Sequence, residues 1–288
     1  MLMPESLSLP PDLRVQVPAD VLDRVEHDLG VRRGRGALVR KRRSVGTTTD
    51  RATWVRIEIR TTERVHGQGF DGLQAAESLT GIAKPAWHAS CGWDDPAHGW
   101  MWRADELDLV TAQPIKPGGT LAAAPDLSNE WWSTLNASLD ALSTSETDRI
   151  ATLHCVPMTQ ARLTDAVVKM FGDVIDTTVT EWAAAHADMS WANLTAPECW
   201  LLDWEDWGLA PRGLDAAMLW SNSLAVPQLA TRIQQERRAD LESTTGLLAQ
   251  LYFCAEALAV PPEYAGSLAQ LARREADRLL VSLANRTG

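Results

Sequence analysis

The sequence predicts an α+β protein, strand-rich in its first third and helical in the remainder. Three observations carry that prediction. Residues 52–60 (ATWVRIEIR) alternate apolar and polar with period two, as a half-buried strand does. Beyond residue 107, apolar residues recur at helical spacing in one segment after another. Within that helical part, a turn-flanked apolar run at residues 199–202 closes on Asp203, shortly after Asp188 and Asn193.

In chain order, residues 1–17 read as an extended lead-in containing Pro4, Pro10 and Pro11. Residues 19–29 carry Val21, Leu22, Val25 and Leu29 on one helical face, and Gly30 stops the helix. A basic tract follows: Arg32, Arg33, Arg35, Arg40, Lys41, Arg42 and Arg43. Ala37, Leu38 and Val39 interrupt it, which favours a solvated strand pair at a sheet edge over a nucleic-acid patch. Residues 44–50 (SVGTTTD) form a small-residue turn, whose backbone N–H and hydroxyl groups suit phosphate oxygens. Residues 72–79 form a helix, and residues 87–102 hold two strands around the turn Asp94-Asp95-Pro96. Residues 128–142 form a helix with Ser128 as N-cap and Trp131, Leu135, Leu139 and Leu142 on one face. A second helix spans residues 161–170. After Asp215, amphipathic helices are expected at residues 216–224, 228–241, 245–258 and 262–283.

Composition narrows the function. The chain has 288 residues, ample for two lobes, and a net charge of −11. Such acidity excludes general phosphate-backbone binding and tolerates a cationic substrate. The cysteines Cys91, Cys155, Cys199 and Cys254 are widely spaced without a C-x-x-C pair, so reduced thiols in a cytoplasmic protein are expected. No secretory leader and no membrane span is expected, since no basic n-region and no run of about 18 apolar residues occurs.

The chemistry concentrates at residues 181–215 (EWAAAHADMSWANLTAPECWLLDWEDWGLAPRGLD). His186, Asp188 and Asn193 are spaced H-x-D-x4-N. Residues 193–194 and 199–202 flank a turn, so a hairpin brings Asp188 and Asn193 opposite Asp203. Two carboxylates and an amide oxygen make a hard, oxygen-only site suited to Mg²⁺ held together with substrate phosphates. Zinc is poorly served, for no cysteine or second histidine lies beside them. A carboxylate there can accept a hydroxyl proton and orient the oxygen for in-line attack on phosphorus. His186 more readily braces the loop than does chemistry. Asp215, opening a helix, can accept backbone N–H bonds and steady the same loop. Asp206 is expected at the surface.

This pattern, extended by Trp204-Glu205 and by Gly213-Leu214-Asp215, resembles the aminoglycoside phosphotransferase and choline kinase superfamily. The resemblance implies a two-lobed protein-kinase-like fold that uses ATP and Mg²⁺, with a nucleotide-covering lobe at 1–105 and a helical lobe at 106–288. It implies Asp188 as the catalytic base, and Asn193 and Asp203 as metal ligands. Ser44, Gly46 and Thr47 then belong to the nucleotide-covering loop. Arg56 takes the place of the strand cation that meets the phosphates, with Arg60 as the competing assignment, and Glu77 pairs with that cation. Residues 101–105 fall at the hinge. The chain departs from the pattern at Ala187, where Gly is usual and the change looks mild, and at Trp191, which crowds the loop. The implied activity is transfer of phosphate to a hydroxyl of a small molecule, aminoglycoside-like or an amino alcohol. The alternative is a non-catalytic nucleotide-binding protein whose site is filled by Trp191 or Trp207. A metal-dependent hydrolase would reuse the carboxylates but lacks the histidines such sites recruit.

Overall fold

The computed structural model describes residues 10–65, 70–116 and 121–286. Residues 1–9 of the predicted lead-in lie outside them. Two compact units emerge: Met1–Ser78 with Pro85–Thr111, and Leu79–Lys84 with Ala112–Gly288.

The first unit is a sheet covered on one face by α1 (Ala19–Leu29). The helix ends where Gly30 adopts φ 64°, a conformation that costs glycine little. The strands are β1 (Val39–Arg40), β2 (Ser44–Thr48), β3 (Thr53–Thr61), β4 (Trp87–Asp95) and β5 (Trp100–Asp108). They pair antiparallel in the order β1-β2-β3-β5-β4. Val55, Ile57 and Ile59 turn toward α1 and join Val21, Leu22, Val25, Val45, Trp102 and Ala104 in one core. Each of the buried valines, isoleucines and Leu22 contributes roughly 1.5–3 kcal/mol. The pleat therefore puts Trp54, Arg56, Glu58 and Arg60 on the opposite face. Across the ladder, Asp105 stands opposite Arg56 and Arg103 opposite Glu58. Short helices α2 (Thr62–Val65) and α3 (Gly72–Ala75) follow β3, and a 3₁₀ turn occupies Ala76–Ser78.

Three expectations are corrected here. Residues 44–48 are strand rather than turn: Val45, Thr47 and Thr48 favour the pleated form, and the segment pairs with β3 from Ser44↔Glu58 to Thr48↔Trp54. The true turn is residues 49–52, where Ala52 takes φ 57°. Residues 101–105 lie in the middle of β5, hydrogen-bonded on both sides, and are no hinge. The helix expected at 72–79 is only α3 and the following 3₁₀ turn.

The second unit is mainly helical. After β6 (Gln113–Pro114) comes α4 (Asn129–Ser143), capped as expected by Ser128, whose Oγ accepts the Trp131 N–H at 3.1 Å. A hairpin of β7 (Thr152–Leu153) and β8 (Val156–Pro157) leads to α5 (Gln160–Phe171). The strands β9 (Trp182–Ala185), β10 (Thr195–Ala196) and β11 (Gly208–Pro211) span the motif. The chain ends in α6 (Leu214–Ser221), α7 (Pro227–Glu236), α8 (Arg238–Leu241), α9 (Thr244–Ala259) and α10 (Pro262–Ala284), the last broken at Gly266. Every residue of α6 is buried, as are residues 245–255 of α9. These two are core helices, not the amphipathic ones expected. No described helix is long and apolar enough to cross a membrane.

Candidate active site

β9 and β11 pair antiparallel, with Ala185 opposite Gly208, so residues 186–207 leave and rejoin the unit at one point. A hairpin inside this excursion brings its polar residues together. Leu194 bridges Leu201, the Leu202 N–H reaches Asn193 O at 2.8 Å, and the Thr195 N–H reaches Trp200 O at 3.2 Å. The segment just before α4 closes one side: β6 pairs with β10, and the Ile115 and Lys116 amides donate to Leu194 O and Trp191 O at 2.8 and 3.0 Å. Sequence reasoning missed this clasp, because a short extended piece between prolines carries no periodic signal.

The loop is held from behind. Asp215 Oδ2 accepts the His186 N–H at 2.7 Å and Oδ1 accepts the Ala187 N–H at 2.9 Å. Burial pushes the Asp215 carboxyl upward, while the two amide hydrogen bonds oppose that rise. His186 is fully buried. Its Nε2 lies 2.8 Å from Leu202 O, a pure acceptor, and its Nδ1 lies 3.3 Å from the Asp188 amide, a pure donor. The ring is therefore the neutral Nε2–H tautomer. It packs edge-on against Trp204 at 4.6 Å. His186 thus joins the residues preceding Asp188 to the one preceding Asp203.

Asn193 donates its side-chain amide to Asp188 O at 2.8 Å and to Asp188 Oδ2 at 2.6 Å. This turns the carbonyl oxygen of Asn193 away from Asp188 as its remaining acceptor. Burial raises the Asp188 carboxyl to about 6, and the nearby Asp203 charge adds to the rise. Asp203 has φ 69°, and its Oδ1 is buried. Among the described residues, no three His, Cys, Asp or Glu side chains cluster to hold a metal. Two carboxylates and one amide oxygen nevertheless fit Mg²⁺, which keeps several waters and takes the rest of its shell from phosphates.

Ala187 also has a positive φ, 65°. Its presence where Gly is usual is thus not mild, since a left-handed L-residue costs about 1–2 kcal/mol. Trp191 does not crowd the site. It is 3% exposed, donates Nε1–H to Ser223 Oγ at 2.9 Å, and stacks 6.2 Å from Trp131. Trp207 is equally buried, under Arg149. Asp206 is no plain surface residue: Thr152 donates both its hydroxyl and its amide to it.

In the first unit, Ser44, Gly46 and Thr47 lie within β2. Ser44 and Thr47 are buried. Arg56 Nη1 meets Glu58 Oε2 at 3.0 Å and Arg60 Nε meets Glu58 Oε1 at 2.7 Å, so one carboxylate serves both candidate cations. Glu77 is exposed on the 3₁₀ turn, and its Oε2 accepts the Trp87 N–H at 3.0 Å.

Comparison with solved structures decides the fold. An amicoumacin kinase, hAmiN, in complex with AMP-PNP, Ca²⁺ and Ami superposes with TM-score 0.53 at 10% identity, over 92% of this chain and 95% of that one. The streptomycin–ATP–APH(2")-IIa complex gives 0.52 at 10%, over 92% and 97%. A thermostable mutant of aminoglycoside phosphotransferase APH(4)-Ia with AMP-PNP and hygromycin B gives 0.52 at 14%, over 93% and 97%. The chain has the aminoglycoside phosphotransferase fold. At the level of sequence, no family model and no curated protein matches it. At such identities the phosphotransferase fold is shared and the chemistry must be argued from the residues.

Proposed function

We propose that the protein is a small-molecule phosphotransferase that moves the γ-phosphoryl group of ATP to an acceptor hydroxyl. The observation that carries this reading is Asp188, fixed by Asn193 and set beside Asp203, with burial raising its carboxyl to about 6. At neutral pH it is ionised yet basic enough to take a proton. The acceptor oxygen attacks phosphorus, the bond to the bridging oxygen of ADP breaks, and the hydroxyl proton passes to Asp188. Asn193 and Asp203 are the residues to hold Mg²⁺, which when bound neutralises phosphate charge and aligns the transferring group. In the first unit, Arg56 and Arg60 are the cations for the phosphates, steadied by Glu58; Ser44, Gly46, Thr47 and Glu77 are left with supporting roles in that sheet. The net charge of −11 favours a cationic acceptor such as an amino alcohol or aminoglycoside.

The test is ADP release from ATP with Mg²⁺ across a panel of amino-alcohol and aminoglycoside acceptors. Acceptor-dependent release abolished by Asp188→Ala is expected. Absence of nucleotide binding at millimolar ATP and Mg²⁺ would sink the proposal. The alternative, a non-catalytic nucleotide-binding protein, draws support from Glu58, which engages both candidate phosphate cations. It predicts binding without transfer.

A further inference from the structure

Asp215 grips the loop, and a second network grips Asp215. Arg237 is 8% exposed and ties α4 to α8. Its Nη1 lies 2.8 Å from Asp140 Oδ1 and 3.3 Å from Asn136 O; its Nε lies 3.1 Å from Asp240 Oδ2, and Nη2 bonds the same oxygen. Asp240 in turn abuts Gly213, the residue before α6: a Cβ there would sit 3.3 Å from Asp240 Cβ. On its other side the Asp240 carbonyl oxygen presses on Gly246 of α9, where a Cβ would come within 1.9 Å. α8 is therefore wedged between the first turns of α6 and α9. A cavity of about 20 Å³, room for one water molecule, is lined by Asp215, Arg237, Asp240, Arg212 and Ala184.

We propose that Arg237 is a positioning residue for the Asp188 loop. Anchored by Asp140 and Asp240, it sets α8 against the start of α6 and presents its charge across the cavity to Asp215. That fixes the carboxylate that holds the His186 and Ala187 amides. A buried carboxylate with two neutral donors is costly, and a guanidinium across a water-sized gap offsets the cost. Calling the gripped segment a catalytic loop rests on the phosphotransferase reading; the grip itself does not.

The experiment is amide hydrogen exchange at His186 and Ala187, with the buried residues 251–255 of α9, beyond its contacts with α8, as internal reference. Arg237→Met is expected to speed exchange at the two amides by about tenfold or more while α9 stays protected. Arg237→Lys, which keeps the charge but loses the fork, is expected to restore most of the protection. For ATP turnover, kcat falls in Arg237→Met and KM for ATP stays within about twofold. Unchanged exchange in folded Arg237→Met, or an equal rise in α9, overturns the proposal. If Arg237→Met does not fold, Arg237→Gln, which also removes the charge, is read against wild type, and no rise at the two amides overturns the proposal. A wild-type protein without transfer activity whose Arg237 variants loosen those amides refutes the phosphotransferase reading and leaves the brace standing.

Discussion

Trp54 lies across Gly46 on the neighbouring strand, so closely that a Cβ on residue 46 would fall 1.9 Å from Trp54 Cζ2. With no Cβ, Gly46 leaves room for that indole ring. Gly46→Ala is expected to destabilise the protein by about 1–3 kcal/mol, the usual penalty of overpacking. Adding Trp54→Leu recovers most of that loss. Chemical denaturation of the two variants measures both; equal stability of Gly46→Ala and wild type would contradict the packing account.

Asp188 makes stability depend on pH. Its carboxyl is raised from 3.8 to about 6, so the folded state binds the proton more tightly than the unfolded chain does. The associated stability is complete below about pH 4 and is lost as pH rises through about 6. In protein free of divalent cation, Asp188→Asn is therefore expected to gain on the order of 2 kcal/mol at neutral pH and nothing near pH 4. With Mg²⁺ bound beside it the carboxyl ionises more readily, so transfer activity in wild type should fall only below about pH 6. Urea melts at several pH values, without and with Mg²⁺, test the first expectation.

The strained backbone at Ala187 gives a simpler prediction. With φ at 65° and its amide fixed on Asp215, the residue gains from losing its Cβ. Ala187→Gly is expected to raise unfolding free energy by about 1 kcal/mol, net of the extra unfolded-state entropy of glycine. A lower midpoint in urea would mean that the Cβ packs better than its strain costs.

Asp215→Asn keeps the shape but turns one acceptor into a donor facing a backbone N–H. Leaving that buried amide unpaired is expected to cost about 1–3 kcal/mol. Thermal unfolding reads the loss. Activity is expected to fall further than that of Asp215→Glu, which retains two acceptors.

Much of the fold was legible because periodicity reports on burial. α1 and α4 begin and end within a residue of where apolar spacing, Gly30 and Ser128 place them. The hairpin joining Asn193 to Asp203 was legible from one turn and one apolar run. The errors share a cause. The segment 44–50 looks like a turn because Gly46 and three threonines are permissive in isolation, and only the partner strand reveals a ladder. α6 and α9 look one-sided because sequence shows spacing and not what covers the second side. Arg237 and Ser223 are invisible in the sequence as site-supporting residues, since Arg237 meets Asn136 across 101 positions and Ser223 meets Trp191 across 32.

Leu79–Lys84 belongs with the second unit although the chain on either side belongs with the first. Within that unit Ala83 takes the Leu201 N–H at 2.7 Å and gives its own N–H to Ser138 Oγ at 3.0 Å. The two halves are consequently interleaved along the polypeptide, and no single cut separates them. A chimera that exchanges residues 1–111 wholesale would import a foreign peptide beside Leu201. One that retains the native Leu79–Lys84 keeps both bonds, and is the graft expected to express as folded protein.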